Sequence, residues 1–181
     1  MKLTRAVPWT VRVIAAMQAA SAPCCSKIVA PSPSGARRLA QALGVVSVKN
    51  GAGTGNTALA FHAGRLLALH EGDLPYAIRV LCSGLVETMG RLKLGGAPLR
   101  AFTAHPKIDP VNGEMLFINY RFEANPYVTA GVLDEYGNLI RRWGVELPYP
   151  VMMHDMGATQ SYIVLMHLPL CFDPEPQSRK A

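Results

Sequence analysis

The sequence predicts an all-β fold of antiparallel strands. Three observations support this prediction. From residue 46 onward, short apolar runs recur about every 8–14 residues, turn-forming residues separate the runs, and neither a helical period nor an alternation of strands and helices is present. Regular short strands with turns between them are typical of an antiparallel sandwich, a barrel or a propeller. The residues alone leave the choice among these three architectures open.

Several segments of the body are predicted to be strands, because they are short apolar runs bounded by Gly, Pro, Asn or Asp. They are residues 57–61, 65–70, 77–81, 114–120, 127–133, 139–145, 151–158 and 162–166. Turns are predicted at residues 62–65, 72–75, 109–113 and 134–138. The strongest turn signal is Asn112-Gly113, because both residues tolerate the positive φ that a tight hairpin requires.

The chain divides by composition into a basic head over residues 1–45, a body over 46–175 and a short tail over 176–181. The head has no acidic residue, and residues 1–70 carry eight basic residues. A basic, Ser-rich and acid-poor start is typical of an organelle transit segment, which predicts a plastid protein. A disordered or uninformative head, and with it a cytoplasmic protein, is the alternative.

The net charge of +6 belongs to the head, since residues 71–181 carry ten basic and twelve acidic residues. A nucleic-acid-binding protein would carry its basic patch on the folded part, so no nucleic acid partner is expected. The chain has no apolar run of about 18 residues, so no transmembrane helix is expected. Cys24, Cys25, Cys82 and Cys171 form no CxxC pair, which predicts free thiols.

Two histidines, His105 and His154, each stand at the start of a β-like run among apolar neighbours. This pattern predicts buried imidazoles, and a buried imidazole needs a partner. A shared metal ion is one such partner, and ordinary hydrogen bonds in the core are the alternative. Because histidines so far apart in the chain can meet only through the fold, their spacing leaves both interpretations open.

The motifs around these histidines are more specific than the histidines alone. In chain order they are Gly55-Asn56-Thr57 running on to Leu69-His70-Glu71-Gly72, then Phe102-Thr103-Ala104-His105-Pro106-Lys107-Ile108-Asp109-Pro110, then Met152-Met153-His154-Asp155, and finally Leu168-Pro169-Leu170. This ordered series closely resembles the carotenoid cleavage oxygenases, over roughly residues 50–175.

The resemblance implies a seven-bladed β-propeller, of which this chain would supply about two or three blades as a fragment or truncated gene product. It also implies iron(II), Fe(II), held on the propeller axis by four histidines. By motif, His105 matches the first of these histidines and His154 the second. Glu71 matches a glutamate that orients a ligand histidine, with His154 as the expected partner. The remaining iron ligands are expected beyond Ala181.

The activity implied by the resemblance is that of a non-haem iron dioxygenase, which cleaves a carbon–carbon double bond of a carotenoid or apocarotenoid with O2. The parent protein would be compatible with peripheral membrane association. A catalytically inactive partial propeller that acts as an interaction module is the alternative. Five aromatic residues either line a polyene tunnel or form an ordinary core, namely Phe102, Phe117, Tyr120, Phe122 and Tyr127. The other histidines, His62, His70 and His167, are expected at the surface or hydrogen-bonded in the core.

Overall fold

The structure is a computed structural model, and it describes residues 10–15, 26–28, 43, 54–94, 99–122, 125–168 and 170–172. Within this described part the regular elements are all strands, and no helix is present. The all-β prediction is therefore confirmed. Most of the basic head predicted over residues 1–45 and all of the tail predicted over 176–181 lie outside the described residues.

The strands are short and separated by tight turns. In chain order they are β1 (Thr10–Ala15), β2 (Ser26–Ile28), β3 (Ala58–His62), β4 (Arg65–Leu69), β5 (Tyr76–Val80), β6 (Val86–Arg91), β7 (Lys107–Ile108), β8 (Met115–Tyr120), β9 (Val128–Leu133), β10 (Leu139–Val145), β11 (Met156–Ala158), β12 (Tyr162–His167) and β13 (Leu170–Phe172). Strand β6 occupies a stretch for which the sequence predicted no strand. The strand predicted over 151–158 is confined to its end, residues 156–158, apart from a single bridge at Val151.

These strands form three sheets and one additional pair. The first sheet has the order β3-β4-β5-β6, the second β10-β9-β8-β7 and the third β1-β12-β11. The first two sheets are antiparallel meanders, as predicted. Two pairings are parallel, β1 with β12 and β2 with β13. Both join a strand from the head to one near the end of the chain, so no hairpin constrains their direction.

Two apolar cores hold the sheets face to face, and β8 contributes to both. Its residues Met115 and Phe117 pack toward the first sheet, where Phe117 stacks on Phe102 with ring centroids 4.5 Å apart. Its alternate residues Leu116 and Ile118 point the other way, into a core shared with β11 and β12. Because side chains alternate along a strand, the second sheet is covered on both faces.

Among the described residues, the first sheet packs into a core on one face, and much of its opposite face is exposed. Leu67 and Leu69 of β4 are buried against the second sheet. Leu59 and Phe61 of β3 and Val80 and Val86 of the β5–β6 hairpin are well exposed on the opposite face. At its rim this sheet is joined to the second sheet by a hydrogen-bond contact of 3.0 Å between His62 Nε2 and the carbonyl oxygen of Gly113.

No helix within the described residues has the length and apolar character needed to cross a membrane.

Candidate metal centre

The first side chain of the candidate site, Glu71, lies in the turn that follows β4. His70 Nδ1 accepts a hydrogen bond of 2.9 Å from the Gly72 amide, which closes this turn around Glu71. A Cβ atom on Gly72 would stand only 2.9 Å from the His70 ring, so a larger residue there would have to displace that ring. The Glu71 side chain is 13% exposed and thus points into the protein.

The next residue of the turn, Asp73, anchors it to the rest of the first sheet. Its carboxylate is buried, accepts hydrogen bonds from the Leu74 amide at 2.7 Å and the Tyr76 hydroxyl at 2.8 Å, and pairs closely with Arg91. A buried carboxylate requires such partners, because without them the charge would be costly to desolvate. The turn that carries Glu71 is therefore fixed at both of its ends.

His105 lies just before the short strand β7. Its amide donates a 3.0 Å hydrogen bond to Thr103 Oγ1, and the Thr103 amide donates a 2.8 Å hydrogen bond to the Ile118 carbonyl oxygen on β8. Pro106 follows directly, and a proline restricts the residue before it to extended conformations. These constraints set the direction in which the His105 side chain leaves the backbone.

His154 lies just before β11, between two buried methionines. Met153 and Met156 belong to the core between the second and third sheets, while the His154 side chain itself is 54% exposed, so the prediction of a buried imidazole is wrong for this residue. Asp155 Oδ1 accepts the Met156 amide at 2.7 Å and so closes the backbone at the start of β11. The two methionines anchor the segment, and His154 projects from it toward the first two sheets.

The three side chains meet, although they come from separate sheets. The Nε2 atoms of His105 and His154 are 3.2 Å apart, and Glu71 Oε1 lies 2.8 Å from His154 Nδ1. Potential ligand atoms of all three lie within 4.8 Å of one another. The two rings are nearly perpendicular, at 72°. Glu71 Oε1 is shielded from solvent, and its contact with His154 is close without the alignment of a hydrogen bond.

The distance between the two Nε2 atoms is compatible with a shared metal ion and also with a direct hydrogen bond between the rings. Two nitrogen ligands with metal bonds of about 2.1 Å stand about 3.0 Å apart at a right angle and about 3.4 Å apart at the tetrahedral angle. The observed separation of 3.2 Å falls between these values. With a proton on Nδ1, facing Glu71, His154 would have an unprotonated Nε2 available as a metal ligand. Imidazole with a carboxylate behind it is a donor set that suits iron and other first-row metals.

A second ion pair lies beside the histidines. Lys107 Nζ donates a hydrogen bond of 2.8 Å to Asp155 Oδ1. Burial raises the pKa of the Asp155 carboxyl, but hydrogen bonds from Lys107 and from the Met156 amide outweigh burial and hold that pKa below its ordinary value. Asp155 is therefore ionised at neutral pH and retains its pair with Lys107.

Tyr120 is the other titratable group whose environment is coupled to this site. Burial, assisted by the negative charge of Glu71, raises the pKa of Tyr120 to about 12. The phenol is consequently neutral at physiological pH and adds no negative charge near Glu71. Tyr120 also packs on Phe122, with ring centroids 5.6 Å apart.

The structure also locates several aromatic residues and histidines for which the sequence allowed two interpretations. Phe102 and Phe117 are fully buried and stacked on each other, which places them in the core. His62 is buried and contacts the Gly113 carbonyl oxygen, and His167 packs against Tyr149. Neither of these histidines belongs to the group around Glu71.

Sequence reasoning singled out Glu71, His105 and His154, which the structure brings together, and it missed Thr103, Lys107 and Asp155. Each of the missed residues contacts or neighbours a histidine segment. Their position within two residues of His105 or His154 was the available signal.

Comparison with known proteins places these observations in a family. Residues 11–181 match the RPE65 family, described as retinal pigment epithelial membrane protein. A carotenoid 9,10(9′,10′)-cleavage dioxygenase of Crocus sativus is 44% identical over 133 residues, which cover 74% of this chain and 24% of the relative. The 9-cis-epoxycarotenoid dioxygenase NCED1, chloroplastic, of Oryza sativa subsp. japonica is 39% identical over 137 residues, which cover 72% of this chain and 21% of the relative.

Among solved structures, the lignostilbene dioxygenase of Pseudomonas brassicacearum matches with a TM-score of 0.56 and 35% identity, over 62% of this chain and 24% of that chain. This likeness confirms the prediction of a partial propeller of antiparallel strands. The chain spans about a quarter of the length of the relatives that it matches.

Proposed function

The chain belongs to the RPE65 family of carotenoid cleavage oxygenases, and on this premise we propose that it is part of a non-haem iron(II) dioxygenase. The reaction is the oxidative cleavage of a carbon–carbon double bond in a carotenoid or apocarotenoid, with O2 as the second substrate. The observation that carries the proposal is the convergence of two imidazoles, His105 and His154, with a shielded carboxylate, Glu71, behind one of them.

Each of the three residues has a defined task in this function. His105 and His154 would supply two of the nitrogen ligands of the iron. Glu71 would hold the proton on Nδ1 of His154, which keeps the ring oriented and makes Nε2 the better ligand. Iron(II), when bound, supplies the redox chemistry that lets O2 react with a double bond.

A carotenoid or apocarotenoid is proposed as the substrate because similar relatives are named carotenoid 9,10(9′,10′)-cleavage dioxygenase and 9-cis-epoxycarotenoid dioxygenase. Such a polyene is long and apolar, and a protein that takes it from a membrane would associate with the membrane surface. Cosedimentation with lipid vesicles tests that association. Analysis of the products by liquid chromatography and mass spectrometry, after incubation with a carotenoid and O2, identifies the bond that is cleaved.

The direct test of the metal site is iron loading of the purified chain without oxygen, followed by elemental analysis. We expect iron to bind, weakly because only two histidines are offered, and to be lost in His105→Ala and His154→Ala. His167→Gln is the matched control, since it removes a histidine outside the group. Iron binding that is equal in all four proteins would contradict the proposed site.

Sequencing of full-length cDNA across the codon after Ala181 tests whether the gene encodes the remaining iron ligands. A reading frame that continues and adds histidines and glutamates in similar motifs supports the dioxygenase. A stop codon at that point, combined with purified protein that cleaves no carotenoid, supports the alternative below.

The exposed apolar face of the first sheet favours a second candidate function, that of a non-catalytic interaction module. This face includes Leu59, Phe61, Val80 and Val86. Contiguous exposed apolar residues of this kind mark interaction surfaces in many soluble proteins. A metal-free protein that self-associates in light scattering would favour this candidate over the dioxygenase.

A plastid location is proposed because several relatives carry the word chloroplastic in their names. The basic, acid-free composition of residues 1–45 agrees with it. A fluorescent fusion to the C-terminus of the chain tests the location in plant cells, and diffuse cytoplasmic fluorescence would contradict the proposal.

A further inference from the structure

The ion pair between Lys107 and Asp155 joins the two segments that carry the histidines. Lys107 lies two residues after His105, and Asp155 directly follows His154. Their contact of 2.8 Å spans 48 residues of sequence. It therefore links the second sheet to the third at the point where the two imidazoles meet.

Both ends of this ion pair are attached to regular structure. Lys107 belongs to β7 and lies opposite Leu116 of β8. Asp155 Oδ1 also accepts the amide of Met156, which begins β11 and lies opposite Leu165. The pair therefore bridges the two backbone segments that carry the histidines.

The structure contains a comparable ion pair that lies within a single sheet. Arg79 and Glu87 also approach to 2.8 Å, but they face each other across the β5–β6 hairpin. Both pairs are largely exposed, and exposed ion pairs of this type contribute little to stability. The difference between the two pairs thus lies in what they connect, rather than in their contribution to stability.

We propose that Lys107 and Asp155 are positioning residues, whose ion pair holds His105 and His154 at the separation that lets their Nε2 atoms bind one metal ion. This inference rests on the proposed function, in which both histidines are ligands. Neither Lys107 nor Asp155 belongs to the group of potential ligands formed by Glu71, His105 and His154. Their effect on the metal is exerted through the spacing and orientation of the two rings.

A purely electrostatic effect of Lys107 and a positioning effect predict opposite changes in metal affinity when Lys107 loses its charge. A variant without that charge therefore distinguishes the two explanations. Lys107 is a cation beside a cation-binding site, so removal of its charge should tighten metal binding if only electrostatics matters. If Lys107 acts by positioning, Lys107→Met should instead weaken binding, by up to about fivefold, because an exposed ion pair adds only a small stabilisation to the spacing of the two rings.

The experiment is a titration of the purified chain with Co2+, followed by absorbance and calorimetry. We expect Lys107→Met to weaken binding by up to about fivefold, and Lys107→Arg to restore most of the affinity, because it keeps the charge and the donor. The matched control Arg79→Met should bind like the unmodified chain. Thermal unfolding without metal should be nearly unchanged in all three variants. Binding in Lys107→Met that equals or exceeds that of the unmodified chain would overturn the inference.

A metal-free measurement separates this inference from the proposed function. In NMR spectra of the unmodified chain we expect nuclear Overhauser effects between the rings of His105 and His154, and their loss in Lys107→Met but not in Arg79→Met. If the unmodified chain binds no Co2+, the proposed function is in error. If the ring contacts persist in Lys107→Met, the positioning role is in error, whatever the result of the titration.

Discussion

The first and second sheets have the same four-stranded meander but opposite environments. In the second sheet, Val128 and Val132 of β9 are fully buried, whereas Val80 and Val86 of the first sheet are 58% and 60% exposed. The residue type is valine in both places. Among the described residues, the difference arises because the inner strands of the second sheet pack into cores on both faces, whereas the first sheet packs into a core on one.

This comparison teaches that burial here depends on the neighbouring sheet, rather than on the composition of the strand. It also explains the position of the candidate site. Glu71 follows strand β4 of the first sheet. His105 precedes strand β7 of the second sheet, and His154 precedes strand β11 of the third. The site can be formed only where the packed faces of successive sheets converge, at their ends.

The largest expected contrast is between two phenylalanines. Phe117 of the second sheet is fully buried, and Phe61 of the first sheet is 66% exposed. Phe117→Ala should lower the free energy of unfolding by about 3–5 kcal/mol, because it leaves a cavity in the core. Phe61→Ala should change it by about 0.5 kcal/mol or less. Unfolding in urea measures both, and similar losses would mean that the apolar face of the first sheet is covered in solution.

Asp73 should be an exception within the first sheet. Its buried carboxylate accepts hydrogen bonds from Tyr76 and Leu74 and pairs with Arg91. Asp73→Ala should lower the free energy of unfolding by about 2–3 kcal/mol, because hydrogen bonds to a charged group are lost and their donors stay behind. Glu87→Gln, in the exposed pair with Arg79, is the control and should cost about 1 kcal/mol or less. Equal losses in the free energy of unfolding for the two variants, measured by chemical denaturation, would contradict this role of Asp73.

Gly131 tests how tightly the second sheet is packed. A Cβ atom there would lie 2.4 Å from Cζ of Phe117. Gly131→Ala should therefore lower the free energy of unfolding by about 1–3 kcal/mol through overpacking. Gly157→Ala in β11 is the matched control, since its Cβ would meet Val164 Cβ at an ordinary 3.4 Å. A Gly131→Ala protein as stable as the control in thermal unfolding would show that the core can adjust.

The smallest expected effect concerns pH. Burial and the charge of Glu71 raise the pKa of Tyr120 to about 12, from an ordinary value of about 10. The stabilisation from the neutral phenol is fully present below about pH 10 and is lost as the pH rises toward 12. Tyr120→Phe should make stability less dependent on pH in this window. Absorbance of the phenolate at alkaline pH tests the shift, and an ordinary midpoint would contradict it.

Much of the fold was accessible from the sequence because its signals are local. The Asn112-Gly113 turn has the expected positive φ, 75° at Gly113, and the alternating apolar residues of β9 form the predicted strand. Strand β6 was missed because Glu87 and Gly90 are poor strand formers and its residues 86–90 are exposed. This strand is held by its pairing with β5, which a local pattern does not reveal.

The candidate site was accessible for a different reason. Glu71, His105 and His154 were proposed from the resemblance of their motifs, whereas their meeting depends on the packing of three sheets. In the sequence, Lys107 and Asp155 cannot be distinguished from ordinary charged residues, because they pair across a separation of 48 residues. Sequence patterns report neighbours along a strand or turn, and non-local ion pairs leave no such pattern.

The origin of the three site residues in three sheets has a consequence for folding kinetics. His105 and His154 are separated by 49 residues, so their contact requires the closure of a long loop. Non-local contacts of this kind form slowly compared with hairpins. The imidazole pair can exist only after the sheets have docked, so a probe that binds both histidines reports the last step of folding. In refolding experiments, that signal should trail the appearance of β-structure.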